Sequence, residues 1–359
     1  MNIEKAAFAF RLDGTPISCV EFGSGHINHT YRLTTDTGVE YVLQQINKYV
    51  FRDPVRLMGN IISVTDYLRQ RSEDPRNALH FIPTHTGLYY HRDRKGEFWR
   101  CYDYLGGFCL DMPESDRDFY ESAIAFGRFQ EMLADFPAHT LFETIPEFHN
   151  TIDRYRQFKA SVEADACDRL KSVREEVWFL LEREEKMSQL QKMREDGRLP
   201  LRVTHNDTKL NNVLLDSTTR KSLCVLDLDT VMPGLSVHDF GDSIRFGAAT
   251  AAEDEPDYMK MELDLNRFRA YTQGYLEAAP SLTDLEVQMM PLGALTMTME
   301  VAVRFLKDYL DGDLYFKTAY PEHNLIRART QIKLAADMEA KWDEMNRIVA
   351  EVSAQVRGK

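Results

Sequence analysis

The first hundred residues read as short strands around one helix. "PISCVEFG" and "HTYRLTT" flank the glycine pair Gly23 and Gly25, and "EYVLQQI" follows a D-T-G turn. "GLYYHRDRKGEFWRCYDYL" has the form of a hairpin around Asp93-Arg94-Lys95-Gly96. Pro54 opens a helical pattern that runs to about Arg71, as proline suits a first helical turn. Together these runs predict a small, sheet-dominated lobe.

After Leu105-Gly106-Gly107 the period changes, and long helical patterns take over at about 116–136, 151–195, 257–278, 284–311 and 323–356. The glycine pair is the natural hinge, which sets the boundary between a lobe at 1–105 and one at 106–359. Within the second part only 200–234 reads as β, and there "LCVLDLD" is a nearly all-apolar strand whose two polar exceptions are Asp227 and Asp229. The expected class is α+β, with a small antiparallel-sheet lobe and a large, mainly helical one. "AAEDEPD" at 251–257 reads as a solvated loop, and no internal repeat is visible.

Length and charge narrow the possibilities. A chain of 359 residues exceeds one ordinary core, so two lobes are the natural arrangement. A net charge of −13 gives no basic footprint for nucleic acid or an anionic membrane, so a negatively charged substrate needs a local cationic pocket. The five cysteines are scattered and form no C-x-x-C pair, which fits reduced thiols in a cytoplasmic protein. The start, "MNIEKAAFAFRLDG", lacks the pattern of a signal peptide. No apolar run approaches the roughly 18 residues of a membrane span. Even "PLGALTMTMEVAVRF" carries Glu300 and Arg304.

Chemistry concentrates in "VTHNDTKLNNVLLD". His205-Asn206-Asp207 with Asn212 five positions after the aspartate has the spacing of a kinase catalytic loop, in which the aspartate accepts the substrate's hydroxyl proton and the asparagine holds a metal. Fifteen residues after Asn212 comes Asp227, then Asp229, and strand alternation would put both carboxylates on one face. A carboxylate in an apolar strand is costly unless it is paired or binds a cation, and Mg²⁺ bridging phosphate oxygens would compensate it. His205 either bonds the loop backbone or acts directly; Asn206, Thr208 and Asn211 read as loop geometry. Lys209 either meets the charge of the transferring phosphate or is simply exposed. No G-x-x-x-x-G-K-[ST] motif occurs, so a P-loop is disfavoured. The candidate phosphate-covering turn is Gly23-Ser24-Gly25-His26-Ile27-Asn28, in which Asn28 stands where a kinase-type loop has its third glycine.

"THNDTKLNNVLLD" with "VLDLDTVMPG" resembles the aminoglycoside phosphotransferase and choline kinase superfamily, whose fold is similar to that of protein kinases. "GHINHTY", "YVLQQIN", "DFGDSIRFGA", "RFLKDYLDGDLYF" and "YPEHNLIRARTQIKL" look more narrowly like the N-acetylhexosamine 1-kinases, which phosphorylate the anomeric hydroxyl of GlcNAc or GalNAc; these blocks span about 23–336. The resemblance implies ATP as co-substrate and Mg²⁺ as cofactor, with Asp207 as base, Asn212 and Asp227 as metal ligands, and Asp229 behind them. The nucleotide would lie among Gly23, Gly25, Asn28, Gln44, Asp103 and Leu105, in the sheet lobe and at the hinge. The sugar would meet Asp242, Arg245, Arg304 and Tyr315, with Asp239 and Tyr320 as further candidates.

The chain departs from the superfamily at one expected feature. Its kinases commonly hold the α- and β-phosphates with a third-strand Lys or Arg paired to an acid on the following helix. Here the third strand offers Gln44, and the helix from Pro54 to Arg71 has no Glu. Lys48, Lys209 or the Gly23–Asn28 backbone are the substitutes the sequence offers. Two other readings stay open: a kinase for another small alcohol such as choline, an aminoglycoside or a different sugar, and a non-catalytic kinase-like binding protein.

Overall fold

The computed structural model describes residues 3–23 and 27–358. The chain divides into two compact units. A sheet unit gathers the residues up to Phe108 together with Asp135–Pro146 and Leu214–Met232, and a helical unit gathers Cys109–Ala134, Glu147–Val213 and the residues from Pro233 onward. The first crossing lies at Phe108 rather than 105, and two later segments, one of them carrying Asp227 and Asp229, rejoin the sheet unit.

The sheet unit is built on β1 (Pro16–Glu21), β2 (His29–Thr35), β3 (Glu40–Ile46), β4 (His91–Arg92) and β5 (Phe98–Asp103). They pair antiparallel in the order β1-β2-β3-β5-β4. Alternation sends Tyr31, Leu33, Tyr41, Leu43, Trp99 and Cys101 into one apolar cluster with Phe10 and Ile82. The intervening positions face the other way, and the register there aligns Thr30, Gln44 and Arg100 directly across three strands. The helix Pro54–Arg71 has the predicted bounds and is capped by Asp53, whose side chain accepts from Arg56 N. Gly106 and Gly107 both have positive φ, 68° and 93°, and a side chain on Gly107 would meet the Leu215 carbonyl at 2.5 Å. The left-handed turn and the close approach both require glycine there.

The region 200–234 does hold short strands: β6 (Arg202–Thr204) with β9 (Met232–Gly234), and β7 (Val213–Leu215) with β8 (Ser222–Val225). The predicted strand over "LCVLDLD" stops at Val225. Asp227 adopts a left-handed conformation with φ 52°, and Leu228–Thr230 forms a 3₁₀ turn. The alternation expected of Asp227 and Asp229 therefore does not apply. Asp227 is exposed and Asp229 buried, because a turn and not a pleat separates them.

In the helical unit, Asp116–Met132 packs on Leu265–Ala278, and Met290–Leu310 packs on both Ser236–Gly247 and His323–Ala340. The contact between Ser236–Gly247 and Met290–Leu310 is backbone to backbone: a Cβ on Gly241 would lie 2.3 Å from the Gly293 carbonyl oxygen. The helix expected over 151–195 is broken into Thr151–Ala164, Arg174–Leu181, Glu184–Met187 and Gln189–Glu195. The break begins at Asp165, with φ 37°, whose side chain accepts from the amides of Arg169 and Leu170 and so offers the backbone an alternative to the helix. Among the described residues no helix is long and apolar enough to cross a membrane.

Candidate active site

The polar loop of the helical unit is held from beneath by carboxylates of the helix Ser236–Gly247. Asp239 accepts from the amides of His205 and Asn206, both at 2.8 Å, and from Gln130 Nε2 at 3.0 Å. Asp242 accepts from the Thr208 amide at 3.0 Å, while the Thr208 hydroxyl donates to the Asp239 carbonyl and Ser243 Oγ donates to the Thr208 carbonyl. Burial pushes the Asp239 carboxyl above its ordinary value, against the pull of the two loop amides. Asn206, with φ 64°, makes the sharp turn that projects the next residue.

That residue is Asp207, whose side chain is 25% exposed. Lys209 Nζ sits 2.9 Å from Oδ1, and Asn212 Nδ2 donates to the Asp207 carbonyl at 2.8 Å and to Oδ2 at 3.3 Å. Burial works to raise the carboxyl, but the Lys209 ammonium outweighs it and holds Asp207 below the usual range, ionised at neutral pH. Among the described residues no donor reaches the amide oxygen of Asn212, which leaves a hard oxygen ligand available beside the carboxylate. His205 is fully buried against Phe126 and Phe129 and accepts from the Asp207 amide, which fits the structural reading.

A second cluster adjoins the loop in the same unit. His149 lies with Nε2 3.3 Å from the Asn206 carbonyl and Nδ1 2.8 Å from Glu300, and Thr151 also donates to Glu300. One helical turn on, Arg304 stands over the rings of Phe148 and Phe316 at 5.2 and 5.5 Å. Among the described residues it has no ion pair or hydrogen bond. Arg154 donates twice to the Phe148 carbonyl, and its pKa is lowered by burial and then by the nearby charge of Arg304. Tyr315 is exposed, in a loop whose amides from Leu314 to Phe316 all donate to Asp308. Tyr320 stacks on His323. The pair Asp242 and Arg245, expected to face a sugar, is closed on the protein's own groups: Arg245 donates twice to Asp242 and once to Glu253, all with buried guanidinium.

In the sheet unit three expected residues, Gln44, Asp229 and Asn28, meet around one that the sequence reading passed over. Arg100, on β5, donates from Nε to Gln44 Oε1 at 2.9 Å and from Nη1 to Asp229 Oδ1. Gln44 Nε2 donates to Thr30 Oγ1 at 2.9 Å, and Asn28 Nδ2 donates to the other oxygen of Asp229 at 2.6 Å. Asn28 Oδ1 in turn accepts from the Asn47 amide. Burial works against the Arg100 charge, but the carboxylates of Asp229 and Asp227 outweigh it. The signal was present in "FWRCYD": an arginine in an apolar strand is as conspicuous as the aspartates of "LCVLDLD".

The remaining nucleotide candidates are placed as follows. Gly23 has φ 82°, and Gly25 lies outside the described residues. Asp103 pairs with His80 Nδ1 at 2.9 Å, and Leu105 is half-buried just before the glycine pair. Lys48 is bound to Glu97 at 2.8 Å. Among the described residues no group of three His, Cys, Asp or Glu forms a metal cage. Mg²⁺ does not need one, since it keeps several waters and takes one or two carboxylates plus phosphate oxygens.

The model of the phosphotransferase enzyme family APH matches residues 18–280. The chain belongs to this family. Similar solved structures span nearly its whole length at low identity. One is a microcompartment-associated aminopropanol kinase, with TM-score 0.64, 16% identity, and 96% of this chain and 97% of that chain covered. Another is amicoumacin kinase in complex with AMP-PNP and Ca²⁺, with TM-score 0.61, 14% identity and 92% of each chain covered. Choline kinase from Cryptosporidium parvum Iowa II follows with TM-score 0.60, 12% identity, and 97% and 98% coverage. The fold is kinase-like, an antiparallel sheet in the N-terminal region and a helical C-terminal part, as the sequence pattern led us to expect.

Proposed function

We propose that the chain transfers the γ-phosphoryl group of ATP to the anomeric hydroxyl of an N-acetylhexosamine, GlcNAc or GalNAc, giving the sugar 1-phosphate. The observation that carries the phosphotransfer reading is Asp207: an ionised, partly exposed carboxylate on a strained loop, steadied by Lys209 and Asn212. In this reading Asp207 takes the proton of the O1 hydroxyl as that oxygen attacks the γ-phosphorus. The bond to the bridging oxygen breaks, and ADP leaves with the electron pair. An anomeric hydroxyl is more acidic than an ordinary alcohol, so one carboxylate base suffices. Asn212 and Asp227 would hold Mg²⁺, which neutralises charge on the phosphate oxygens when bound. Asp242 and Arg245 serve this step by fixing the Thr208 amide rather than by touching sugar.

For the acceptor, the cluster around Arg304 supports a neutral, hydrogen-bond-accepting substrate. Arg304 and Arg154 bring two guanidinium charges beside the buried carboxylate of Glu300, and these repel a cationic amino alcohol or aminoglycoside. The carbonyl of an N-acetyl group and the sugar hydroxyls accept from a guanidinium, and Tyr315 offers a ring to an apolar sugar face. A panel of free sugars, choline, aminopropanol and aminoglycosides with Mg-ATP, followed by ³¹P NMR of the product, tests the proposal. A phosphate on O1 of GlcNAc or GalNAc is the expected result. Transfer to an amino alcohol with hexosamines left untouched would replace the substrate, and no transfer to any acceptor would leave a binding protein.

A further inference from the structure

The third-strand position that carries a phosphate-holding cation in related kinases is Gln44 here, and the following helix supplies no partner acid: its one carboxylate, Asp66, is exposed. The missing charges lie one strand over. Arg100 sits directly across from Gln44 in the β3–β5 register, and its acid is Asp229 in the 3₁₀ turn. Resting on the kinase reading above, we infer that Arg100, Asp229 and Asn28 form a latch that fixes the turn carrying Asp227 onto the sheet, and that Arg100 works through this turn rather than by touching phosphate.

Three observations carry the inference. Both side chains of the Arg100–Asp229 pair are 3% exposed, so neither presents a surface to a ligand. Both Asp229 oxygens are engaged, one by Arg100 and one by Asn28, which makes Asp229 a counter-ion and leaves Asp227 as the turn's exposed carboxylate. The guanidinium is oriented before any ligand arrives, because Gln44 accepts its Nε proton and is itself held by Thr30. Asp227 stands two residues before Asp229 in a left-handed conformation, so a loosened Asp229 releases a strained backbone. The other end of the turn is tied as well, since Asn60 donates to the Val231 carbonyl at 3.0 Å. Asn28 Oδ1 also accepts from the Asn47 amide, which ties the residue after β3 to the same carboxylate.

Such supporting groups commonly change metal affinity about ten- to a hundredfold when removed, without touching the ligand. The test compares wild type with Arg100→Lys, Asn28→Ala and the apolar double variant Arg100→Met/Asp229→Leu. Calorimetry reads AMP-PNP binding with and without Mg²⁺, thermal melting reads stability, and amide hydrogen exchange reads Leu226–Val231. The latch predicts that Arg100→Lys weakens Mg-nucleotide binding about tenfold, leaves metal-free binding within about twofold, and speeds exchange in the turn. Asn28→Ala should move the same quantities less. The double variant should recover melting temperature, as apolar replacement of a buried pair often does, while its Mg-nucleotide affinity stays weakened.

Equal loss of metal-free and Mg-nucleotide affinity in Arg100→Lys would make Arg100 a phosphate ligand and overturn the inference. Full recovery of affinity in the double variant would reduce the pair to scaffold. If wild type binds no Mg-nucleotide at all, the kinase reading fails instead. Exchange in Leu226–Val231 still decides the latch: unchanged rates in both Arg100→Lys and Asn28→Ala overturn it.

Discussion

Two stretches of this chain each lift an aspartate from a strained backbone, and they are held in opposite ways. In the helical unit the loop around Asp207 offers backbone amides, and the groups that receive them are the carboxylates Asp239 and Asp242. In the sheet unit the turn around Asp227 offers a carboxylate and a carbonyl, and the groups that reach them are the donors Arg100, Asn28 and Asn60. A loop held by buried carboxylates sits in a negative surround, so its own aspartate needs a cation at hand to stay ionised, and Lys209 supplies it. A turn held by a buried guanidinium already has a compensating charge, which attracts Asp227 as well as Asp229. The lesson is that the sign of the holding group decides what each exposed aspartate needs from its neighbours.

The largest expected effect separates chemistry from support. Asp207→Asn keeps nearly the same shape and should fold and bind ATP, yet lose about 10² to 10⁴ in kcat. Steady-state kinetics showing near-wild-type turnover would remove Asp207 from the mechanism. Next comes support itself. Asp239→Ala strands two buried loop amides, at about 1–3 kcal/mol each, whereas Asn60→Ala strands one amide, that of Phe142, and leaves two carbonyls short of a donor, so it should cost less. Chemical denaturation of the two variants ranks them, and a larger loss at Asn60 would reverse the comparison.

Smaller again is the effect on substrate choice. Arg304→Leu should raise the hexosamine KM by about ten- to a hundredfold, from loss of a charged donor worth about 1.5–3 kcal/mol, while the KM for ATP scarcely moves. Melting measured alongside distinguishes this from scaffold failure, in which both substrates suffer together. The smallest effect is one of pH. Glu300 is buried, which favours its neutral form, but His149 and the two arginines outweigh burial and bring its carboxyl from 4.5 to about 2. A carboxyl depressed by folding adds stability that is complete above its unfolded pKa and fades as pH falls toward the folded one. The melting temperatures of wild type and Glu300→Gln should therefore differ by a constant amount above about pH 5 and converge toward pH 2. A gap that widens on acidification would mean that Glu300 is not held in its ionised form by these neighbours.

Much of the architecture was legible from local pattern. The strand runs of the first hundred residues, the helix Pro54–Arg71, and the spacing from His205 to Asn212 are properties of neighbouring residues, and neighbours fix turn and period. Local pattern misled where a side chain competed with the backbone. Asp165 broke a long helix by accepting two amides, and Asp227 turned left-handed and ended a strand that hydrophobicity alone would have extended.

Pairing across distance was not legible at all. Gln44 and Arg100 stand 56 positions apart and Asp229 another 129 beyond, yet the register and the returning segment bring them into one row. His149 and Glu300 meet over 151 positions to stand behind Asn206. The sequence by itself determined which polar residues would be costly to bury: Arg100, Asp229, Asp239, Arg245 and Glu300 all lie in apolar surroundings where an unpaired charge is not tolerated. Only the tertiary structure decided their partners, because a charge requires compensation but does not specify which strand or helix delivers it.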